Sequence, residues 1–273
     1  MITPSLIAVV MGAGAVAGML GALLGLGGGV FLVPFLNIVL GLPFKVAGAI
    51  SLMTVIATSS AVSARTAGRN LINLRLGMLL EVASAGGGLA AGMTLNRIPE
   101  PVLYKIFAVL TALIAAIMLT RLDRRNVLDV SIDPGRLGGR CFDEETGRDV
   151  SYRVRRLPLA MSVSGVAGYV SGALGIGGGI LKVPVLNVSC GVPMRAAAAT
   201  SGLMLGVTAV SSVTIHYANG YILPGYAAAA VLGVLVGSRA GFWFGNKTRV
   251  RWLKMLMASI LLAVSALYFL KGR

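Results

Sequence analysis

The chain has 273 residues, of which 56% are hydrophobic and only 12% are charged, and its mean hydropathy is +0.87. Soluble domains carry about 25% charged residues, so this composition excludes a soluble fold. The net charge of +15 does not indicate a nucleic-acid partner, because Lys and Arg flanking apolar segments are what membrane orientation requires.

The first half of the chain is predicted to contain five apolar helical segments, each bounded by Gly, Pro, Asn or charge. They cover residues 6–26, 30–42, 44–64, 76–95 and 102–120. A hydrocarbon core takes roughly 20 helical residues to cross. The second segment, at roughly 20 Å, is too short to cross alone. It is predicted to be a half-helix or a re-entrant piece.

The second half of the chain repeats the first. Residues 24–37 recur as residues 174–187, and the register of 150 positions, as from Gly27 to Gly177, holds without a gap as far as Asn96 and Asn246. The predicted fold class is therefore an all-α polytopic membrane protein, built from two repeats of about five helical segments that include short broken half-helices.

Loop charges indicate that the two repeats are inverted. The loop after the third segment contains Arg65, Arg69 and Arg75, whereas its counterpart at residues 216–224 contains no Lys or Arg. The next loop reverses the bias, with a single Arg in the first repeat and three basic residues at 247–251 in the second. Positive-inside selection produces this pattern when equivalent loops face opposite sides.

A polar segment joins the two halves and divides the chain into an N-terminal repeat (1–121), a cytoplasmic linker (122–156) and a C-terminal repeat (157–273). Residues 150–154 alternate between apolar and polar, and a turn-like stretch at 145–148 precedes them. The linker is therefore predicted to form a small β-hairpin.

Tandem glycines are the strongest functional signal. Gly27, Gly28 and Gly29 recur as Gly177–Gly179, and such a run breaks a helix and exposes backbone polar groups that hydrocarbon penalises. In inverted-repeat transporters, broken helices meet near the midplane and offer N–H groups to an anion. Close helix packing is the alternative explanation.

Neutral hydrogen-bonding residues near these glycines are candidates for oxyanion recognition, and each could equally bridge two helices. They are Asn37, Ser51, Thr58, Asn187, Thr200, Ser201 and Thr208.

Ionisable residues inside apolar spans are costly and by default mark function. Lys182 replaces Leu32 of the first repeat and Arg239 replaces Leu89, so both are candidates to neutralise an anion. The alternative is that either side chain snorkels to the membrane interface. Glu81 is the acid deep in a span, and it is predicted either to pair with one of these cations or to take up a coupling proton.

The sequence offers no catalytic set. It has one His, two scattered Cys and no H-E-x-x-H motif, P-loop or dinucleotide fingerprint. We expect Cys141 and Cys190 to remain thiols, and we expect no enzyme activity, cofactor or metal.

The duplicated glycine motif, the proline that follows it, and the basic central loop resemble the TauE/SafE, or sulfite exporter, family over nearly the whole chain. The matching residues are Gly25, Gly27, Gly28, Gly29, Pro34 and Gly41, with Gly175, Gly177, Gly178, Gly179, Pro184 and Gly191. The resemblance implies secondary transport of sulfite, sulfoacetate or another organosulfonate in a multi-pass bacterial plasma-membrane protein. The family is described with seven or eight spans, which counts fewer short pieces than five plus five.

The leading hypothesis is thus an anion transporter working by alternating access, with a small anion and the bilayer as partners and a coupling proton as an open alternative. Three other readings remain: a passive anion channel, a transporter of another small carboxylate or oxyanion, and a structural membrane scaffold.

Overall fold

The structure is a computed structural model, and it describes residues 4–24, 27–66, 71–119, 134–143, 148–245 and 250–272. The first repeat forms α1 (Pro4–Leu24), α2 (Gly29–Pro34, continued by a π-helical turn at Phe35–Val39), α3 (Phe44–Thr66), α4 (Leu74–Thr94, continued by a 3₁₀ turn at Leu95–Arg97) and α5 (Glu100–Leu119). Gly25, Arg69 and the predicted turn at 145–147 lie outside the described residues.

The second repeat forms the same five elements: α6 (Leu157–Leu174), α7 (Gly179–Val188), α8 (Met194–Ala218), α9 (Pro224–Gly245) and α10 (Val250–Lys271). The linker contributes an antiparallel hairpin of β1 (Gly139–Asp143) and β2 (Arg148–Tyr152). The predicted all-α membrane fold with a small hairpin is confirmed.

The short second helix of each repeat folds back on the first. Gly28 lies against Ala17 and Gly21 of α1, and in the second repeat Gly178 lies against Ala167 and Ser171 of α6. Glycine is needed at these turns, because Gly28 and Gly178 have φ of +70° and +61°, a region that other residues rarely adopt.

Helices of the two repeats exchange partners. α1 packs on α9 as α6 packs on α4, while the equivalent helices α3 and α8 pack on each other, as do α5 and α10. Val62 lies against Gly202 and Ser59 against Gly206, so α3 and α8 run antiparallel. Antiparallel equivalents are what an inverted repeat requires. The orientation of the two repeats in the bilayer stays a prediction.

Five of the described helices are long and apolar enough to cross a membrane: residues Pro4–Ala22, Phe44–Thr66, Leu74–Arg97, Leu157–Leu174 and Met194–Ala218. Large apolar side chains on helix exteriors remain exposed, including Met78, Val82, Val166 and Val236. Such a surface suits contact with lipid rather than water. The chain is a multi-pass membrane protein.

Candidate functional site

Both glycine loops lie at the centre of the molecule, where the two repeats meet. Gly27 and Gly177 face the same two side chains, Val55 of α3 and Leu205 of α8. Val55 and Leu205 are themselves equivalents in the 150-residue register. A Cβ built on Gly29 would lie 2.5 Å from the carbonyl oxygen of Gly175, so the loops also touch across the repeats. The predicted convergence is present, but an apolar contact fills the space between the loops.

Hydroxyls from α3 satisfy carbonyl groups that the broken helices expose. Ser51 Oγ donates to the Gly175 carbonyl oxygen at 2.6 Å, and Thr58 Oγ1 lies 3.2 Å from the Gly27 carbonyl oxygen. Ser201, the counterpart of Ser51, is fully buried, and its hydroxyl has no hydrogen-bond partner among the described residues. Ser51 and Thr58 therefore hold the loops in place, and binding roles for these hydroxyls stay predictions.

Three predicted site residues lie away from the glycine loops. The Asn37 amide donates to the Leu42 carbonyl at 2.7 Å and the Asn187 amide to the Val192 carbonyl at 2.9 Å, at the far ends of α2 and α7. Both amides thus fasten a short helix to the loop that follows it. Arg239 is exposed on the outer surface of α9. The structure therefore does not bring Asn37, Asn187 and Arg239 to the glycine loops. The two Asn residues are separated from the loops by the length of the short helices, and Arg239 lies on the exposed face of α9.

Lys182 lies in a polar contact between the repeats. Its Nζ donates to Thr208 Oγ1 at 3.1 Å, and Thr208 Oγ1 donates to Glu81 Oε1 at 2.6 Å. Lys182 Nζ is 3.7 Å from Glu81 Oε2. Glu81 comes from α4 of the first repeat, whereas Lys182 and Thr208 come from α7 and α8 of the second. The structure therefore brings together three of the predicted residues.

The hydrogen bonds of this contact are incomplete. Lys182 is 1% exposed and Glu81 is 8% exposed. Within the described part of the chain, Glu81 Oε2 has no hydrogen-bond partner, and the Lys182 ammonium group, with three donors, has one hydrogen bond, to Thr208. Buried ion pairs cost desolvation energy that only complete hydrogen bonding offsets. A half-satisfied pair inside a membrane protein is therefore a candidate functional site.

The helix patterns explain this placement. On α4, Gly77, Glu81, Ser84 and Gly88 recur at helical spacing on the buried face, opposite the exposed Met78 and Val82. A Cβ built on Gly77 would meet Thr200 at 3.2 Å, and one on Gly88 would meet Ser212 Oγ at 2.6 Å. Small residues thus let α4 approach α8 closely enough for Glu81 to reach Thr208.

Further buried polar groups lie along α8 beyond the Glu81–Lys182 contact. Ser212 Oγ donates to the Thr208 carbonyl at 3.1 Å, and His216 Nδ1 lies 2.8 Å from the Ser212 carbonyl oxygen, so Nδ1 carries the proton. On the facing side, Ser84 Oγ donates to the Ser164 carbonyl of α6 at 3.1 Å. Ser84, Ser212 and His216 are all buried.

The equivalent positions of the other repeat lack most of these polar groups. In the 150-residue register, Glu81 corresponds to Val231, Lys182 to Leu32, Ser84 to Val234, Ser212 to Val62 and His216 to Thr66. Ser84 and Ser212 were missed by sequence reasoning that judged each residue alone. A position-by-position comparison of the two repeats would have found them, because each is a serine in one repeat and a valine at the equivalent position of the other.

The hairpin packs near one end of this row of buried polar groups. Asn73 caps α4 by accepting from the Leu76 amide at 3.1 Å, and its own amide donates to the Leu137 carbonyl at 2.8 Å and to the Tyr152 hydroxyl at 3.1 Å. The Asn73 backbone N–H donates to Thr200 Oγ1 at 3.0 Å. Burial raises the pKa of Tyr152, which keeps the phenol neutral in this contact. Thr200 therefore helps to position Asn73, the residue that contacts the hairpin.

A groove of about 420 Å³ opens between α1 and α2. Apolar residues and glycine line it: Val9, Gly12, Ala13, Val16, Ala17, Phe31 and Phe35. This lining suits an acyl chain and offers nothing to an anion.

Comparison with known proteins identifies the family of this chain. The family model described as sulfite exporter TauE/SafE matches residues 10–268. The chain belongs to the sulfite exporter TauE/SafE family. This confirms the resemblance drawn from the glycine motifs.

Curated relatives of this TauE/SafE chain are named as transporters. The probable membrane transporter protein YunE of Bacillus subtilis (strain 168) is 27% identical, with 95% of this chain and 96% of that protein covered. A probable membrane transporter protein of Haemophilus influenzae is 26% identical, covering 94% and 96%, and one of Methanocaldococcus jannaschii is 24% identical, covering 91% and 90%. No solved structure matches the TauE/SafE chain. It is therefore a membrane transporter, and its relatives give no indication of an enzyme.

Proposed function

We propose that the chain is a secondary transporter of small sulfur-containing anions such as sulfite or an organosulfonate, working by alternating access between its two repeats. The observation that carries the proposal is the buried Lys182, whose ammonium group lies at the contact between the repeats with one hydrogen bond. The description of the family as sulfite exporters supports the substrate class.

Burial of the site favours alternating access over an open channel. Lys182, Thr208 and Ser212 are each at most 1% exposed, so an anion reaches them only after the helices move apart. A passive channel would expose such groups to water along a continuous path. A gradient test separates the two: an imposed proton gradient, or excess unlabelled substrate on the opposite side, drives uphill flux of labelled anion through a transporter, whereas a channel only lets each gradient dissipate.

Substrate class is tested by thermal unfolding of the purified protein with sulfite, sulfoacetate, taurine, thiosulfate, sulfate and simple carboxylates. A ligand that binds only the folded state at about 100 times its Kd adds roughly 2.7 kcal/mol of stability. We expect sulfite or a sulfonate to raise the unfolding temperature of the wild type but not of the double variant Glu81→Gln/Lys182→Met, which keeps the site neutral. Stabilisation by carboxylates alone would replace the proposed substrate class, and equal stabilisation of both proteins would place binding elsewhere.

A further inference from the structure

We propose that the transported anion carries a single negative charge and binds between Lys182 Nζ and Glu81 Oε2, and that it binds together with one proton taken up by Glu81. This inference rests on the proposed function. It specifies the charge of the substrate and its coupling ion.

The two oxygens of Glu81 have different surroundings. Oε1 accepts a hydrogen bond from the Thr208 hydroxyl at 2.6 Å, whereas Oε2 is buried, makes no hydrogen bond with any residue that the structure describes, and lies 3.7 Å from Lys182 Nζ. Oε2 is therefore the atom open to a proton. Once an O–H bond forms there with a proton from solvent, Oε2 becomes a donor that needs an acceptor, and Lys182 keeps donors to spare.

An anion oxygen placed between these groups would accept from both. Lys182 would then exchange its contact with the Glu81 carboxylate for a contact with the substrate, and the Glu81 O–H would also donate to the substrate. Each group that the structure leaves incompletely bonded thereby gains a partner.

Charge balance links the proton to the anion. With Glu81 ionised, Lys182 and Glu81 together are neutral, and adding an anion would bury one uncompensated negative charge. With Glu81 protonated, Lys182 and a monovalent anion are neutral together. By linkage, a proton that favours anion binding is itself bound more tightly when the anion is present.

The surroundings of Glu81 provide few other charges to disturb this balance. α7 presents Lys182 and α8 presents the Thr208 hydroxyl. The titratable side chain of α6, Tyr169, bonds to Thr94, which is 13 positions and roughly 20 Å further along α4. On α8, Arg195 lies in the first turn and is exposed, and His216 and Tyr217 lie in the last turns. Lys182 is thus the charged partner of Glu81 within the described residues.

The test measures Kd as a function of pH for methanesulfonate, whose single charge does not change over the accessible pH range. Where Glu81 is ionised in the unliganded protein, Kd should rise about tenfold per pH unit. Glu81→Gln, which cannot ionise, should bind with a Kd that does not vary with pH over that range. In weakly buffered solution within that same pH range, the wild type should take up one proton per anion bound, and this second measurement needs no variant.

A pH slope that survives in Glu81→Gln belongs to Lys182 and overturns the inference, as does anion binding by the wild type without proton uptake. Divalent sulfate should bind about tenfold or more weakly than methanesulfonate, because one negative charge stays unbalanced in the site; equal binding contradicts the inference. If none of the anions in the panel binds the wild type, the proposed function itself fails. The double variant Glu81→Gln/Lys182→Met, folded but without binding, is the control for the site.

Discussion

At the scale of single residues, the glycine loops and the Lys182 contact have different roles. Gly178 turns the chain back on α6 with a φ of +61°, and a Cβ built there would lie 2.7 Å from the Ala167 carbonyl oxygen. That packing explains the tandem glycines without a ligand. Lys182, by contrast, gains no stability from an incomplete ion pair, so its presence points to binding.

Gly178→Ala should destabilise the protein, because alanine neither accepts this φ nor fits this space. Strain in the left-handed region costs about 1 to 3 kcal/mol, before any clash with Ala167. Gly86→Ala is the matched control: Gly86 lies within α4 and a Cβ there meets nothing within 4 Å, so the change should be neutral or stabilising by up to about 1 kcal/mol. Thermal unfolding in detergent measures both variants, and equal stability would refute the packing explanation.

Thr208→Val should weaken anion binding while keeping the shape of the side chain. It removes the hydroxyl that holds Lys182 and Glu81 in position for the anion, and the loss of this shared partner costs about 1 to 3 kcal/mol. Thr111→Val is the control, because the Thr111 hydroxyl is buried but bonds to the backbone of its own helix. Anion affinity measured by isothermal titration should fall in Thr208→Val alone. Unchanged affinity would remove Thr208 from the site.

Residue identity predicted part of this site. Lys182, Thr208 and Glu81 stood out as polar groups in apolar spans, and the structure places them together. Arg239 looked equivalent in sequence but lies on an exposed face, because a lone charge does not reveal which way its helix is turned. Asn37 and Asn187 recur for a structural reason, the closing of each short helix.

At the scale of elements, the hairpin is more than a tether between the repeats. Cys141, Val150 and Tyr152 belong to one buried cluster with Leu76 and Leu80 of α4 and with Val183 and Leu186 of α7. The hairpin thus packs on helices that carry Glu81 and Lys182. Alternation of apolar residues predicted the strands, but their docking depends on contacts distant in sequence, such as Asn73 with Leu137.

Asn73→Ala should loosen the docked hairpin. The change removes the cap of α4, worth about 1 kcal/mol, together with two hydrogen bonds to the linker and hairpin. Tyr152→Phe removes one of those bonds and keeps the ring, so its effect should be smaller. Limited proteolysis followed by mass spectrometry should show faster cleavage within residues 134–156 in Asn73→Ala than in Tyr152→Phe. The reverse order would show that Asn73 does not hold the hairpin.

At the scale of the whole molecule, the duplication in the sequence predicted the number and order of helices. Equivalent segments form equivalent helices, and the partner exchange of α1 with α9 and α6 with α4 follows the repeat. The central packing could not be predicted, since it depends on Val55 and Leu205 filling the space between the glycine loops. Neither periodicity nor loop charge carries that information.

Cysteine labelling tests the inverted orientation. α3 and α8 are equivalent and antiparallel, so a cysteine at the end of α3 (Arg65→Cys) should react only from the cytoplasm and one at the end of α8 (Ala218→Cys) only from outside. Cys141 and Cys190 are buried and give a low background. Reaction of both introduced cysteines from the same side would establish parallel repeats.

The most direct measurement of the central claim is sulfonate or sulfite flux into proteoliposomes, with Lys182→Met compared to Leu32→Met at the equivalent position of the other repeat. Loss of a charge-assisted hydrogen bond of about 1.5 to 3 kcal/mol should lower apparent affinity about tenfold to a hundredfold in Lys182→Met. Leu32→Met keeps an apolar side chain of similar volume and should transport as the wild type does. Wild-type flux in Lys182→Met, at equal folded yield, would contradict an anion site at Lys182.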